Sequence, residues 1–477
     1  MSNVVDLIDQ SAFRGERATG ATNLLQCVWA YNRAIDIDGL RKFHQHLQRG
    51  RLSRRVERSP LPFGRHRWVS PSSQSDLEIV ATPRPREEFD AWLSEQANTP
   101  LDAEHGPGWH LAVLPFTDGG AGVSFVISHT LVDGVGLCEA LADAASGRHD
   151  PINWPAAGSR RWWQALRQDA RQTARDIPAV GRAIVAAAQF ARRNRGGAGS
   201  ATAPLSKPPV LSGGADERTD LPTATIFVDA DEWDARAHSL GGTSNTLLAG
   251  LAAGLAQRVG RVTADGSATP SIPVNERTAG DTRANAITNV DITVDPALAA
   301  TDLRGIRAAT KRALIRHREV PDERWALLPL VPLLPQRLVR RMVGVATGGT
   351  TNVVSSNLGA AAPAVNRPDG TDADHFVMRS LSAHMTKAMV HQLGGLLSLL
   401  SGKARGRVFV SVVAHQPDHP NSKDQLQQHI SSVLSEFSLT ATTGWPCKEP
   451  VGARSASRSA VRGKPHDAKR PIGAARS

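Results

Sequence analysis

In the stretch SFVISHTLVDGVG, Ser124 to Gly136, an apolar run ends on His129, and Asp133-Gly134 follow three residues later. A neutral imidazole titrates near pH ~6.5, so it can take a proton from a hydroxyl at neutral pH and act as a general base. A carboxylate four positions further on suits another task. Asp133 can accept a backbone N–H or pair with an arginine, and so hold the loop with His129 pointing into a cleft. Gly134 allows a positive φ, so the chain can turn sharply into the next helix. The competing reading of H-x-x-x-D-G is a hydrogen-bonded turn at the end of a strand, with no chemistry attached.

The elements that must position this loop are legible on both sides. LLQCVWAYN (24–32), HLAVLPF and GVSFVISHT read as strands, the last two joined by the turn signal TDGGA. IDGLRKFHQHLQRG reads as a helix with Leu40, Phe43 and Leu47 on one face, and VGLCEALADAAS as a helix starting just past Asp-Gly. After a basic stretch broken at Pro178 and a Gly/Pro/Ser-rich linker, α/β texture returns. It includes TATIFVDADEW, ANAITNVDITVD, TNVVSSNLG, a strand at Val408–Ala414 and the amphipathic helix KDQLQQHISSVLSEFS. The expected division is an N-terminal half at 1–150, a basic helical crossover and linker at 151–222, a C-terminal half at 223–440, and a disordered basic tail at 441–477.

Composition places the chain among ordinary globular proteins: 477 residues, 40% hydrophobic and 21% charged. The net charge is +11, and +6 of it lies in 441–477, where eight Lys/Arg face Glu449 and Asp467. Three cysteines (Cys27, Cys138, Cys447), far apart in sequence, indicate neither a disulfide framework nor a zinc site and fit a cytoplasmic setting. The N-terminus has early acids and no long apolar core, so no secretory signal is expected. The most apolar window, Trp325 to Ala346, carries three prolines and is not a simple membrane span. It reads as an apolar surface or a pocket wall. There is no G-x-S-x-G elbow, Walker loop or G-x-G-x-x-G fingerprint. His384 and His391 are seven apart, and Pro417 separates His415 from His419, so no metal site is expected.

ISHTLVDGVG resembles the H-H-x-x-x-D-G motif of the CoA-dependent acyltransferase superfamily. That superfamily includes nonribosomal-peptide condensation domains and the bacterial wax ester synthase/diacylglycerol acyltransferases. Further segments resemble the latter family in order and spacing over roughly residues 5–440: DAEHGPGWHLAVLPFTDGGAGVSFVISHTLVDG, GGTSNTLLAGLAAGL, SIPVNERTAGDTRANAITNV and TNVVSSNLGAAAPAV. The chain departs from the pattern at four places. Ser128 replaces the first His; Pro107-Gly108-Trp109 stands for P-L-W; Asn245-Thr246 stands for N-D; and Ser356-Asn357-Leu358-Gly359 lacks its proline.

The resemblance implies an α+β chain of two pseudo-symmetric halves, of the chloramphenicol acetyltransferase-like type, with a channel between them. It implies O-acyl transfer from acyl-CoA to a lipid alcohol (diacylglycerol or a long-chain alcohol), giving triacylglycerol or wax ester. His129 would be the base, and Asp133 and Gly134 would be structural. Arg277 is the candidate partner of Asp133, and Asn285, Ser356 or Asn357 the candidate oxyanion donors. Acyl-CoA would be substrate, with no cofactor. The departures leave open a non-catalytic member that binds lipid or a partner protein, and an acyltransferase or condensation enzyme for another hydroxyl or amine.

Between Arg160 and Arg195 nine arginines and two aspartates accompany Trp162 and Trp163. This composition suits the headgroup region of an inner membrane or a lipid droplet, with 160–195 making peripheral contact. It equally suits a crossover helix packing its Trp face on the protein. No nucleic-acid-binding module is recognisable, and no nucleic-acid partner is expected.

Overall fold

The computed structural model describes residues 3–71, 75–148, 152–196, 217–278, 280–320, 323–340 and 351–446. Two sheets organise the chain. The first contains β1 (Thr22–Tyr31), β4 (Leu77–Ile79), β5 (Trp109–Pro115), β6 (Ala121–Ser128) and β11 (His375–Ala383), in the order β11-β1-β6-β5-β4. The second contains β7 (Thr223–Asp229), β8 (Thr269–Asn275), β9 (Ile287–Asp291), β10 (Asn352–Ala360), β12 (Leu396–Ala404), β13 (Arg407–His415) and β14 (Ala441–Thr443). Their order is β14-β7-β13-β12-β10-β8-β9. The short strands β2 (Arg55–Glu57) and β3 (Arg67–Val69) form a separate antiparallel pair.

β6 is buried along its whole length and β1 nearly so, which explains their unbroken apolar runs: both faces of the sheet are covered. Their antiparallel register sets Leu24 opposite Ser128, and on the other side of β1 Leu24 faces Leu381 of β11. The core of this lobe holds Trp29, Trp68, Trp92 and Phe125 and continues into Phe409 and Leu400 of the other sheet. Trp29 Nε1 donates to the Val365 carbonyl at 2.8 Å. The second core is built around α7 (Ser244–Arg258), which is apolar almost all round and therefore central.

Three sequence expectations change. The half boundaries at 150 and 223 do not divide the sheets, because β11, from the C-terminal part, completes the first sheet against β1. The tail does not begin at 441. β14 pairs with β7, and Trp445 is buried against Phe89 and Phe227, so the ordered chain runs on to at least 446, while 447–477 lie outside the described residues. Pro178 does not break its helix. The helix that crosses between lobes, Trp162–Gly196, runs through it. Pro178 and Ala174, whose carbonyl loses its intrahelical donor, are both exposed, so water can satisfy that carbonyl. Within the apolar window 325–346, the turn Leu328–Leu333 packs against this helix and against the N-terminal one; residues 341–346 lie outside the described residues. No helix among the described residues is long and apolar enough to cross a membrane.

Candidate active site

β6 delivers His129 to its position. Ser128 N–H donates to the Gly108 carbonyl at 3.1 Å, and His129 N–H to the Asn23 carbonyl at 2.8 Å, so strand pairing with β1 continues one residue past the strand. The His129 carbonyl accepts from Asn285 Nδ2 at 3.0 Å. The backbone of His129 is thus held from both lobes. Its half-buried ring has no hydrogen-bond partner among the described residues.

Asp133 is the opposite case. It is the N-cap of α4 (Gly134–Ala145), and its Oδ1 accepts from Gly136 N–H at 2.7 Å. Oδ2 accepts from Arg277 Nη2 at 2.6 Å and from Ala286 N–H at 2.8 Å. Both side chains of this ion pair are almost fully buried, at 1% and 4% exposure. Arg277 also donates to the carbonyls of Arg283 and Ala284. Asp133 therefore serves as a structural anchor, with both oxygens committed, and the structure brings it together with Arg277 across the lobes.

Gly134 acts differently from the expectation. It opens α4 without a positive φ. A Cβ there would sit 2.7 Å from Leu358 Cδ2, so a larger residue would push that side-chain tip aside. Leu358 lies at the end of β10, so the Ser356–Asn357–Leu358 segment reaches the loop through this contact. Asn357 donates from Nδ2 to Asn245 Oδ1 at 2.5 Å, and its own Oδ1 accepts from Gly359 N–H at 2.8 Å. Two segments of the motif pattern that are far apart in sequence, around 245 and 357, thereby meet. Ser356 is half-buried on the same strand.

Asn285 is not an oxyanion donor in this arrangement. Its Nδ2 is committed to the His129 carbonyl and to Asp9 Oδ1 at 3.1 Å. Both amide hydrogens are used, and Asn285 becomes a brace for the His129 loop.

Three residues absent from the sequence reading complete the site. Asp9, on α1 (Leu7–Thr19), is fully buried and accepts from the N–H groups of Ala284 and Asn285, each at 2.8 Å. Burial pushes its carboxyl up to about 6, against the attraction of nearby Arg54. Arg54, buried and lying over the rings of Trp68 and Trp154, donates to the Leu131 carbonyl (2.6 Å) and the Thr282 carbonyl (2.7 Å). Burial lowers its guanidinium to about 10. Glu16, on the same helix as Asp9, accepts from Thr130 Oγ1 at 2.8 Å and from Ser128 Oγ at 3.5 Å, with its carboxyl raised by burial. The residue in place of the motif's first His is therefore a buried serine under a carboxylate. Asp9 had a sequence signal: it stands four residues before Phe13, on the apolar face of α1.

A cleft of about 460 Å³ opens beside the loop, lined by Arg51, Val135, Cys138, Glu139, Leu358 and Ala361. Burial pushes the Cys138 thiol up to about 12, which removes it as a thiolate nucleophile near neutral pH.

No protein-family model and no curated protein matches the sequence. Solved structures do match in fold. The wax ester synthase/diacylglycerol acyltransferase from Marinobacter aquaeolei VT8 is 14% identical with a TM-score of 0.53, covering 91% of this chain and 98% of that one. The first condensation domain of the CDA synthetase is 12% identical with a TM-score of 0.54, covering 93% and 99%. The epimerization domain from the third module of tyrocidine synthetase B is 14% identical with a TM-score of 0.51, covering 92% and 97%. The chain thus has, over nearly its whole length, the α+β fold of the CoA-dependent acyltransferases and condensation domains.

Proposed function

We propose that the protein is an O-acyltransferase that moves a fatty acyl group from acyl-CoA to a lipid alcohol, diacylglycerol or a long-chain alcohol, with His129 as the general base. The observation that carries this reading is the contrast within one loop: the His129 backbone is fixed from both lobes while its ring has no hydrogen-bond partner among the described residues. Asp133 is committed to Arg277 and two backbone N–H groups, so it orients the loop and exchanges no proton. In the reaction His129 accepts the proton of the acceptor hydroxyl. The oxygen bonds to the thioester carbonyl carbon, the carbon–sulfur bond breaks, and the proton passes to the departing CoA sulfur. The cleft beside Val135 and Leu358 lies along α4, which follows the loop.

A second reading is favoured by Ser128 and Asn285. The first motif position holds a buried serine, and the Asn285 amide is already spent on holding the loop. Both features suit a chain that keeps the fold and binds lipid or a partner without catalysis. The test is wild-type protein with palmitoyl-CoA and a panel of long-chain alcohols and diacylglycerol, following free thiol and ester together. Thiol and ester in equal amounts, only when alcohol is present, support transfer. Thiol without alcohol identifies hydrolysis, and neither product from folded protein selects the non-catalytic reading.

A further inference from the structure

The crossover helix α5 (Trp162–Gly196) has a face left exposed among the described residues. Its inner side is anchored: Ala165, Asp169 and Ala183 are buried, and Asp169 accepts from Ser59, Arg67 and Arg160. On the outer side Trp162, Trp163, Ile177, Ile184 and Val185 are each more than half exposed. At roughly 100° per residue these five fall in an arc of about 140°. The Trp pair therefore does not pack on the rest of the described residues. The apolar strip continues sideways over exposed Phe63 and Leu333, which rim a cavity of about 310 Å³ also lined by Leu7, Val180 and Pro329.

The charge on this helix is sorted by side. Both acids of its described part, Asp169 and Asp176, face inward and are paired, with Arg67 and Arg160 and with Arg65. Arg167, Arg171, Arg175 and Arg182 are exposed along one flank of the apolar strip, and none has an ion-pair partner among the described residues. An apolar stripe edged by unpaired arginines is the pattern of a helix lying in a headgroup layer. A second copy of the chain fits poorly, because a two-fold contact sets like surface against like and would bring these arginines together. A nucleic-acid strand would meet isoleucines and a valine where it needs stacking surfaces.

We infer that the outer face of α5 docks the protein on an anionic bilayer, with Trp163, Ile177, Ile184 and Val185 entering the interface and the arginines meeting lipid phosphates. This rests on α5 alone and stands or falls independently of acyl transfer.

The experiment is sedimentation of the full chain with vesicles of phosphatidylcholine, or of phosphatidylcholine and phosphatidylglycerol in equal parts, at low and high salt. Partition onto the anionic vesicles only, weakened by salt, is expected. A blue shift of tryptophan emission should accompany it. At about fivefold per arginine, R167Q/R171Q/R175Q should lower partition by about a hundredfold. I177S/I184S should lower it as well, and both variants should keep the wild-type melting temperature because every site is exposed. Equal binding to both vesicles, no binding to either at low salt, or undiminished binding by the arginine variant would each overturn the proposal. So would tryptophan emission that iodide cannot quench in the free protein, which would mean that another part of the chain covers the face. A dimer in light scattering that I177S/I184S dissociates would assign the face to self-association instead.

Discussion

Among the described residues two carboxylate clamps join the lobes, one buried and one partly exposed, and they are built differently. Beside His129, Asp9 and Asp133 grip one irregular segment: the consecutive N–H groups of Ala284, Asn285 and Ala286 all donate to these two side chains. On the other side, Asp90 of α3 (Phe89–Ala97) is held by side chains only: Arg379 of β11 at 2.9 Å, Lys423 at 2.5 Å and Trp445 Nε1 at 3.0 Å. The titration of the two clamps diverges accordingly. Asp9 meets amides in a dry pocket, and burial raises it to about 6. Burial also works against the charge of Asp90, but Arg379 and Lys423 outweigh it and bring that carboxyl down to about 2. A carboxylate that binds backbone fixes the path of a loop, at some cost in stability. A carboxylate that binds cations holds elements together. Beside the candidate chemistry Asp9 is of the first kind, and Asp133 combines the two, with backbone N–H groups and Arg277.

The comparison is broken most severely at Arg277. R277A leaves the buried Asp133 carboxylate without its cation, and should cost about 4 kcal/mol in denaturant unfolding. It should also abolish ester formation, since the loop loses its anchor. On the Asp90 side, W445A removes a buried ring and should cost about 3 kcal/mol, with any activity retained in the fraction that stays folded. Removing 441–477 should cost at least as much.

Titration sharpens the contrast. Asp9 has a folded pKa above its unfolded one, so the unfolded chain ionises first as pH rises. Unfolding free energy of wild type relative to D9N should therefore fall by about 3 kcal/mol between pH 3.8 and about 6, and stay level above. Asp90 is the reverse case. Its contribution is complete above pH 3.8 and is lost as pH falls toward about 2. Wild type relative to D90N should thus lose about 2 kcal/mol over that range. Equal slopes in both series would erase the distinction between the clamps.

The parts of the site that were legible in the sequence are local. The run into His129, the spacing to Asp133 and the helix after it are written within thirteen residues, and the backbone carries them out as strand, loop and helix. The braces were illegible because their partners are remote: Asp9 meets Ala284 at a separation of 275 residues, and Arg54 meets Leu131 at 77. β11 escaped notice for a related reason. HFVMRSLSA places Arg379 in the middle of a buried strand, and its partners Asp90, Thr225 and the Trp445 ring are all distant in sequence. At the C-terminus Trp445 stands in a run of small and polar residues that reads as tail, yet its ring closes the contact between Phe89 and Phe227. Gly134 shows the limit in miniature. Its close neighbour is Leu358, 224 positions away, and its φ is not positive.

The most direct measurement is ester formation from palmitoyl-CoA by H129A beside wild type, with the melting temperature of each. Unchanged melting and a rate lower by about a hundredfold or more are expected, because the ring has no hydrogen bond to lose among the described residues while the reaction loses its base. Ester formation at the wild-type rate by folded H129A would contradict that role, and would make the loop a structural turn that happens to end in histidine.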